Sequence, residues 1–531
     1  MATSLILLGL LAKTTQNKDK KYSFINLEPI LSYKYYGLSE AFRAITEEEK
    51  DLEAFKTSFY AKNLIEAYAF FKEKISDTPV GTLEKMFDAL IKKMLFSVVG
   101  LNDNRIDPFS SFETINNRGK DLSTLELLKN RLHFVAHKIC DEGDLENLQN
   151  EINDTYTRIY HNLRFFKDDH LEDFLKYFVA YYYGEKRDFK ERLLNTAFDA
   201  HKKYDDLYDE YEKINDLLLH LSYSSKVWYF LHTLDEKSIA LIFDDNRKLE
   251  MEITPKMRNL LDKMRRLNAL SYNAFLPLLL SLLTIQLAVR SGSERHYTTQ
   301  ELEGLLEYLE RFGFLIYGVA DGKKTAKNEW IELAFKAIQA YRFWGDKITI
   351  EDLPTLEKNF FKGKYSGLEL LEESIHSKKN AEKWYRWGKA LNYLLYEYEL
   401  RHNPETTLNF DSSIESIEHI LPQNPDQGYS AKEKNWAKNP NIVHALGNLL
   451  LIPKNANSSL SNKPFEEKRK QYLKGSYSEK EVAKNASFGV AQIKERSEKL
   501  LDFLIAHYRI AELVDESAIQ AFKNALLKDI K

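Results

Sequence analysis

Apolar residues recur at intervals of three and four over most of the chain, the spacing that lines one face of an α-helix. Leu125, Leu128 and Leu132 form one such row. Leu171, Phe174, Leu175 and Phe178 form a second, and Leu302, Leu305, Leu306 and Leu309 a third. Two of the rows have a built-in start. Ser123 stands three residues before Glu126, and Thr298 three before Glu301. In such a pair the hydroxyl and the carboxylate each satisfy a backbone N–H that a helix N-terminus leaves open. Residues 139–400 are expected to be helical almost throughout. Residues 1–138 mix helices with one strand candidate, the apolar run Met94–Leu101, which meets the turn-forming Asn102-Asp103-Asn104.

From residue 401 the pattern changes. Pro404, Pro422, Pro425, Pro440 and Pro453 break the helical rows, and loops are expected to dominate. Two short apolar runs stand out as strands, Ile417–Gln423 and Leu446–Ile452. An Asn-rich stretch follows, with a helix expected to begin near Lys463-Pro464-Phe465. Gly489–Tyr508 and Ala511–Leu527 return to helical spacing.

The chain's 531 residues suggest about three domains. The pattern divides them as 1–138, a partial α/β domain, 139–400, a helical scaffold, and 401–531. With 20 glycines and 12 prolines the chain has few breakers, so the expected class is mainly α, with one small mixed module near the end. The 31 Tyr and 31 Phe read as helix-packing bulk. The lone Cys140 excludes an intrachain disulfide and a Cys-rich zinc site, and favours a reducing cytoplasm. The apolar start Ser4–Ala12 lacks the preceding positive charge of a secretion signal, and a buried helix explains it equally well. The run Asn273–Val289 contains Pro277 and Gln286 and is too short and too interrupted to span a bilayer, so no membrane partner is expected. Net charge is −4, yet residues 427–475 hold nine Lys or Arg against three acids. That local excess fits a phosphate-facing surface, and equally a solvated one.

The chemistry concentrates in Ile417-Glu418-His419-Ile420-Leu421-Pro422-Gln423, followed about 25 residues later by Gly447-Asn448-Leu449-Leu450-Leu451 and then Asn455, Asn457 and Asn462. A neutral imidazole can act as a base near pH 7. A carboxylate and an amide oxygen suit a hard divalent cation. A base and a cation together are what phosphodiester hydrolysis requires.

This arrangement resembles the ββα-metal (HNH) nuclease fold. The nuclease domains of RNA-guided CRISPR enzymes carry a similar Asp-His-Ile-x-Pro-Gln strand, an Asn opening the second strand and another nine residues on, the spacing of Asn448 and Asn457 here. The resemblance implies His419 as general base, Glu418 (Asp in many relatives) and Asn457 as ligands of Mg²⁺ or Mn²⁺, and Asn448 as the residue that holds the His-bearing loop. More narrowly, SIEHILPQ with LGNLLLIPKNANSSLSNKPFEEKRKQY is similar to the C-terminal domain of GmrSD-type modification-dependent (type IV) restriction enzymes. Phe112–Ser123 resembles a motif of that family's ParB/sulfiredoxin-like N-terminal domain. The resemblance implies an endonuclease of phage defence acting on modified DNA. Asn116 and Arg118 belong to a partial nucleotide or sensor pocket, or to a plain turn between helices. The family's Asp-Gly-Gln-Gln-Arg loop is not found, so the chain is expected to begin just downstream of it. A nucleoside triphosphate is then bound only if that segment is supplied, for example by a split partner subunit or within a homo-oligomer.

Lys463, Lys468 and Lys470 are candidate DNA contacts, with solvated helix surface as the alternative for the Lys468-Arg469-Lys470 run. His133 and His137, four apart without a third ligand nearby, read as structural. The competing class is a non-catalytic DNA-binding or nucleotide-sensing regulator with a relic nuclease fold. One expectation is testable at this level: the chain alone turns over no nucleoside triphosphate. A phosphate-release assay showing turnover that Asn116→Ala abolishes would contradict it.

Overall fold

The computed structural model describes residues 37–47, 49–93, 122–185, 187–199, 202–204, 206–233, 253–288, 296–343, 345–377, 379–410, 415–425 and 428–531. Met94–Leu101, Asn116, Arg118 and Ser4–Ala12 lie outside them. What is described is mainly helical, as the uninterrupted apolar rows require. Helices α1 (Leu38–Glu47), α2 (Phe59–Ser76) and α3 (Val80–Lys93) come first, and α1 and α2 share a small apolar cluster around Phe42, Ile45 and Ile65.

A larger core runs without interruption from Leu125 to Ile530. Its helices are α4 (Thr124–Ile139), α5 (Glu142–Asn162), α6 (Asp168–Tyr182), α7 (Leu207–His232), α8 (Pro255–Ala269), α9 (Leu276–Ala288), α10 (Thr299–Phe312) and α11 (Lys327–Phe343). Both capping boxes form, at Ser123 with Glu126 and at Thr298 with Glu301. All three apolar rows are buried. Helix α9 is buried on every residue and packs against α6, α7 and α11. Its polar groups find partners inside. Ser281 Oγ donates to Ala334 O, and the Gln286 amide exchanges two hydrogen bonds with the Tyr297 backbone. No described helix is long and apolar enough to cross a membrane.

After α11 comes a hairpin that the periodicity does not announce, β1 (Phe361–Lys362) with β2 (Tyr365–Ser366), turning through Gly363 at φ 64°. Helices α12 (Gly367–His376) and α13 (Lys389–His402) lead to β3 (Glu415–His419). Next come β4 (Leu449–Pro453), α14 (Lys454–Leu460), α15 (Phe465–Tyr472), α16 (Tyr477–Ala483), α17 (Val490–His507) and α18 (Glu516–Leu527). Strands β3 and β4 pair antiparallel, with Glu415 opposite Pro453 and His419 opposite Leu449.

A helix begins near Lys463-Pro464-Phe465 as expected, α15 from Phe465, but the Asn-rich stretch before it is itself helical, as α14 from Lys454. Its sequence Lys-Asn-Ala-Asn-Ser-Ser-Leu is poor in helix formers, but packing against β3 and β4 carries it. Helices, not loops, dominate from residue 428 on; Pro404, Pro422 and Pro425 do lie outside helices and strands, while the later prolines sit at helix starts. Pro440 occupies the first position of a short helix, and Pro453 and Pro464 immediately precede α14 and α15. A proline loses nothing there, because the first turn has no use for its N–H.

Helix α8 is tied by buried charge to α13, the helix that leads from the scaffold into the C-terminal module. Lys263 Nζ and Arg266 Nη2, from α8, donate to Glu397 of α13 at 2.9 and 2.7 Å, with Glu397 only 2% exposed. Burial opposes the ionised carboxylate, yet the two cations hold Glu397 down to about 2. Because this folded value lies below the ordinary carboxylate range, the pair's stabilisation is present above about pH 4.5 and fades as pH falls toward 2. Glu397→Ala is expected to destabilise the protein by about 3–5 kcal/mol, since it strands two cations in the interior. A denaturant midpoint for Glu397→Ala equal to that of the parent would contradict this joint.

Candidate active site

Alternation along β3 sends neighbouring side chains to opposite faces. Ser416 and Glu418 face α14 and α15, where Asn457 Nδ2 donates to Ser416 Oγ at 2.8 Å and also to Ile417 O at 3.2 Å. On the same side, Lys468 Nζ donates to Glu418 Oε1 at 2.5 Å and to His419 O at 2.8 Å, and Tyr472 Oη donates to Glu418 Oε1 at 3.2 Å. Lys468 therefore points inward, fully buried, while Lys463 and Lys470 are exposed. Burial pushes the Glu418 carboxyl up and the Lys468 ammonium down, each against the pull of the other. Enclosure from water thus outweighs attraction at both ends of a pair in contact.

His419 faces the other way. Its Nε2 lies 3.1 Å from His444 Nδ1, and its Nδ1 lies 3.4 Å from the amide nitrogen of Gln423. The Tyr385 ring packs 4.9 Å from His419 and stacks on His444 at 5.9 Å. Burial, with His444 and Lys468 adding to it, holds the His419 imidazole down to about 3. It is neutral at neutral pH, the form a general base needs. With the Gln423 nitrogen toward it, Nδ1 of His419 suits the acceptor role, and the matching tautomer has its proton on Nε2, toward His444. His419 itself is buried, and Gln423, which is exposed, lies between its Nδ1 and solvent.

Asn448 fastens this loop. It is completely buried. Its Oδ1 accepts from Leu421 N at 2.8 Å, and its Nδ2 donates to Leu421 O and Val443 O at 2.9 and 2.7 Å. Gly447 beside it leaves no room for a side chain, since a Cβ would lie 2.0 Å from Ile493 O. Helix α17 completes the clamp. Ser497 Oγ accepts from Gly447 N, and Arg496 Nη1 donates to Gly447 O and Leu449 O.

Of the sequence-derived residues, the fold thus gathers His419, Glu418, Asn448, Asn457 and Lys468 around one strand. Asn116 and Arg118 are outside the described residues. Tyr385, His444, Tyr472 and Arg496 were not singled out from sequence. His444 stands three residues before Gly447-Asn448 and Tyr472 ends the quoted stretch, the two local hints; Tyr385 and Arg496 lie outside it. Elsewhere, Glu310, Glu397 and His507 bring possible metal donors within 4.8 Å of one another. Lys263 and Arg266 already neutralise that group.

Residues 3–133 match the family described as GmrSD restriction endonuclease, N-terminal domain. Residues 371–503 match GmrSD restriction endonucleases, C-terminal domain. The second match contains every residue of the β3–β4 site named above. A comparison with curated proteins returns no match.

Asn448→Ala is expected to leave one buried N–H and two carbonyls without their partner. At about 1–3 kcal/mol per unsatisfied group, several kcal/mol of stability should be lost. Thermal unfolding reads this directly. A parent-like midpoint would show that the loop is held by something else.

Proposed function

The chain belongs to the GmrSD restriction endonuclease family, so its substrate is DNA; we propose that it cuts by hydrolysis at the corner of β3, β4 and α14, as an HNH-type site with His419 as general base. The observation that carries this reading is the neutral imidazole of His419, with only Gln423 between its Nδ1 and solvent, on the loop that Asn448 clamps. In the proposed step, Nδ1 takes a proton from water. The water oxygen bonds to phosphorus, and the bond from phosphorus to the 3′-oxygen breaks with its electron pair. The products are a 5′-phosphate and, once the leaving oxygen is protonated, a 3′-hydroxyl.

Mg²⁺ or Mn²⁺ is the proposed cofactor, and the donors fit it in part. Asn457 gives its Nδ2 to Ser416 and Ile417, and its Oδ1 accepts no hydrogen bond among the described residues, so that oxygen suits a hard cation. The Glu418 carboxylate already holds the Lys468 ammonium and becomes a second ligand only where Lys468 gives way. When bound, the cation would neutralise charge on the scissile phosphate and the leaving oxygen. The exposed Lys463 and Lys470 are proposed to meet DNA phosphates. Lys468 would do so only by leaving its buried pair. Modified DNA of the phage type is the proposed target, in keeping with a defence role.

Cleavage of cytosine-modified plasmid DNA is expected with Mg²⁺ or Mn²⁺ and not with EDTA, with plain plasmid as the comparison. His419→Ala should lower the rate by about 10²–10⁴-fold. Equal cleavage by His419→Ala and the parent would falsify the base assignment. DNA binding without metal-dependent cleavage of either substrate would favour a regulatory protein.

A further inference from the structure

A base that accepts a proton on one imidazole nitrogen needs the other nitrogen held by an acceptor, because that contact fixes both the tautomer and the ring angle. In many sites a carboxylate or a backbone carbonyl fills this role. At His419 neither does. The group 3.1 Å from Nε2 is Nδ1 of another imidazole, His444. The two rings meet at 78°, edge toward face, with centroids 5.1 Å apart. His444 is itself held. It ends the short helix Pro440–Val443, its backbone N–H donates to Pro440 O, and Tyr385 stacks against its ring. It is 8% exposed, so water has little access to compete for Nδ1.

We propose that His444 is the positioning residue of the hydrolytic site, accepting the Nε2–H of His419 through its own Nδ1 and so keeping the lone pair on His419 Nδ1. The inference rests on the reading of His419 as general base. The contacts fit the arrangement. With the Gln423 amide nitrogen toward His419 Nδ1, the matching His419 tautomer has its proton on Nε2, and His444 then presents a bare Nδ1 and carries its own proton on Nε2. When His419 takes up a proton, its Nε2–H becomes the donor of a charge-assisted hydrogen bond, which is stronger than the neutral one. The contact is then worth more after proton transfer than before it. An interaction of that kind acts on kcat rather than on binding.

The test uses the full chain with bis(p-nitrophenyl) phosphate and Mn²⁺, a phosphodiester probe that needs no DNA recognition. His444→Ala is expected to lower kcat by about 10–100-fold, within the range of a positioned acid–base group, with KM and the unfolding midpoint near those of the parent. His444→Asn, whose amide oxygen can stand where Nδ1 stood, should recover most of the loss. His444→Gln, whose amide reaches one bond too far, should not. Unchanged kcat in His444→Ala, alongside a large loss in His419→Ala, would overturn the role of His444 and leave the base assignment intact. A kcat loss that His444→Asn does not relieve, or that tracks a lowered unfolding midpoint, would reduce His444 to packing and also overturn the proposal. Parent-like turnover by His419→Ala would instead remove the reading on which the proposal stands.

Discussion

A two-stranded antiparallel ribbon is at best marginal in water by itself, and the arrangement of the whole C-terminal module follows from how β3 and β4 are supported. The ribbon carries five residue pairs. Everything else that holds it comes from helices. Helix α14 lies across both strands, and α13 and α16 pack against β4. Helix α17 reaches the turn before β4 with Arg496 and Ser497. The apolar side chains of the ribbon continue the same core as the scaffold, from Leu125 onward. The position of His419 is therefore set by helices that begin from about 30 residues before it to about 70 after it, as well as by its own strand.

How much of this was legible in the sequence depended on range. The helical rows were plain because a capping box and its apolar stripe are both local. Ser123 with Glu126 and Leu125 with Leu128 and Leu132 lie within ten residues. His419, Asn448 and Asn457 were legible because their spacing is that of a known motif, and the fold brings their elements together. The inward turn of Lys468 was not. Its neighbours Arg469 and Lys470 make the run look like a solvated surface, and the residue that reverses that reading, Glu418, lies 50 positions earlier. His444 was missed for the same reason, since its contact with His419 spans 25 residues. Helix α14 was missed because packing prevailed over weak intrinsic propensity. The β1–β2 hairpin was missed because two residues per strand are too few to display alternation.

The two faces of β3 treat charge differently. On one face Glu418 and Lys468 touch in near-complete enclosure, tied to Tyr472 and to the His419 carbonyl. On the other, the neutral rings of His419 and His444 meet through nitrogens 3.1 Å apart. The backbone between them couples the two, because Lys468 holds both the side chain of one residue and the carbonyl of the next. A divalent cation arriving at Glu418 would thus act on the strand end that carries His419.

The joint of Lys263, Arg266 and Glu397 has a consequence for handling the protein. Mobile ions screen charges that water can reach and leave enclosed pairs nearly untouched. The lysines that face outward, Lys463 and Lys470 among them, sit where screening is complete. Contact with nucleic acid phosphates weakens steeply with ionic strength, through release of condensed counterions. Sodium chloride is therefore a selective lever for this molecule. If the exposed lysines hold a polyanion as proposed, raising it would loosen that grip while Lys263, Arg266 and Glu397 stay paired.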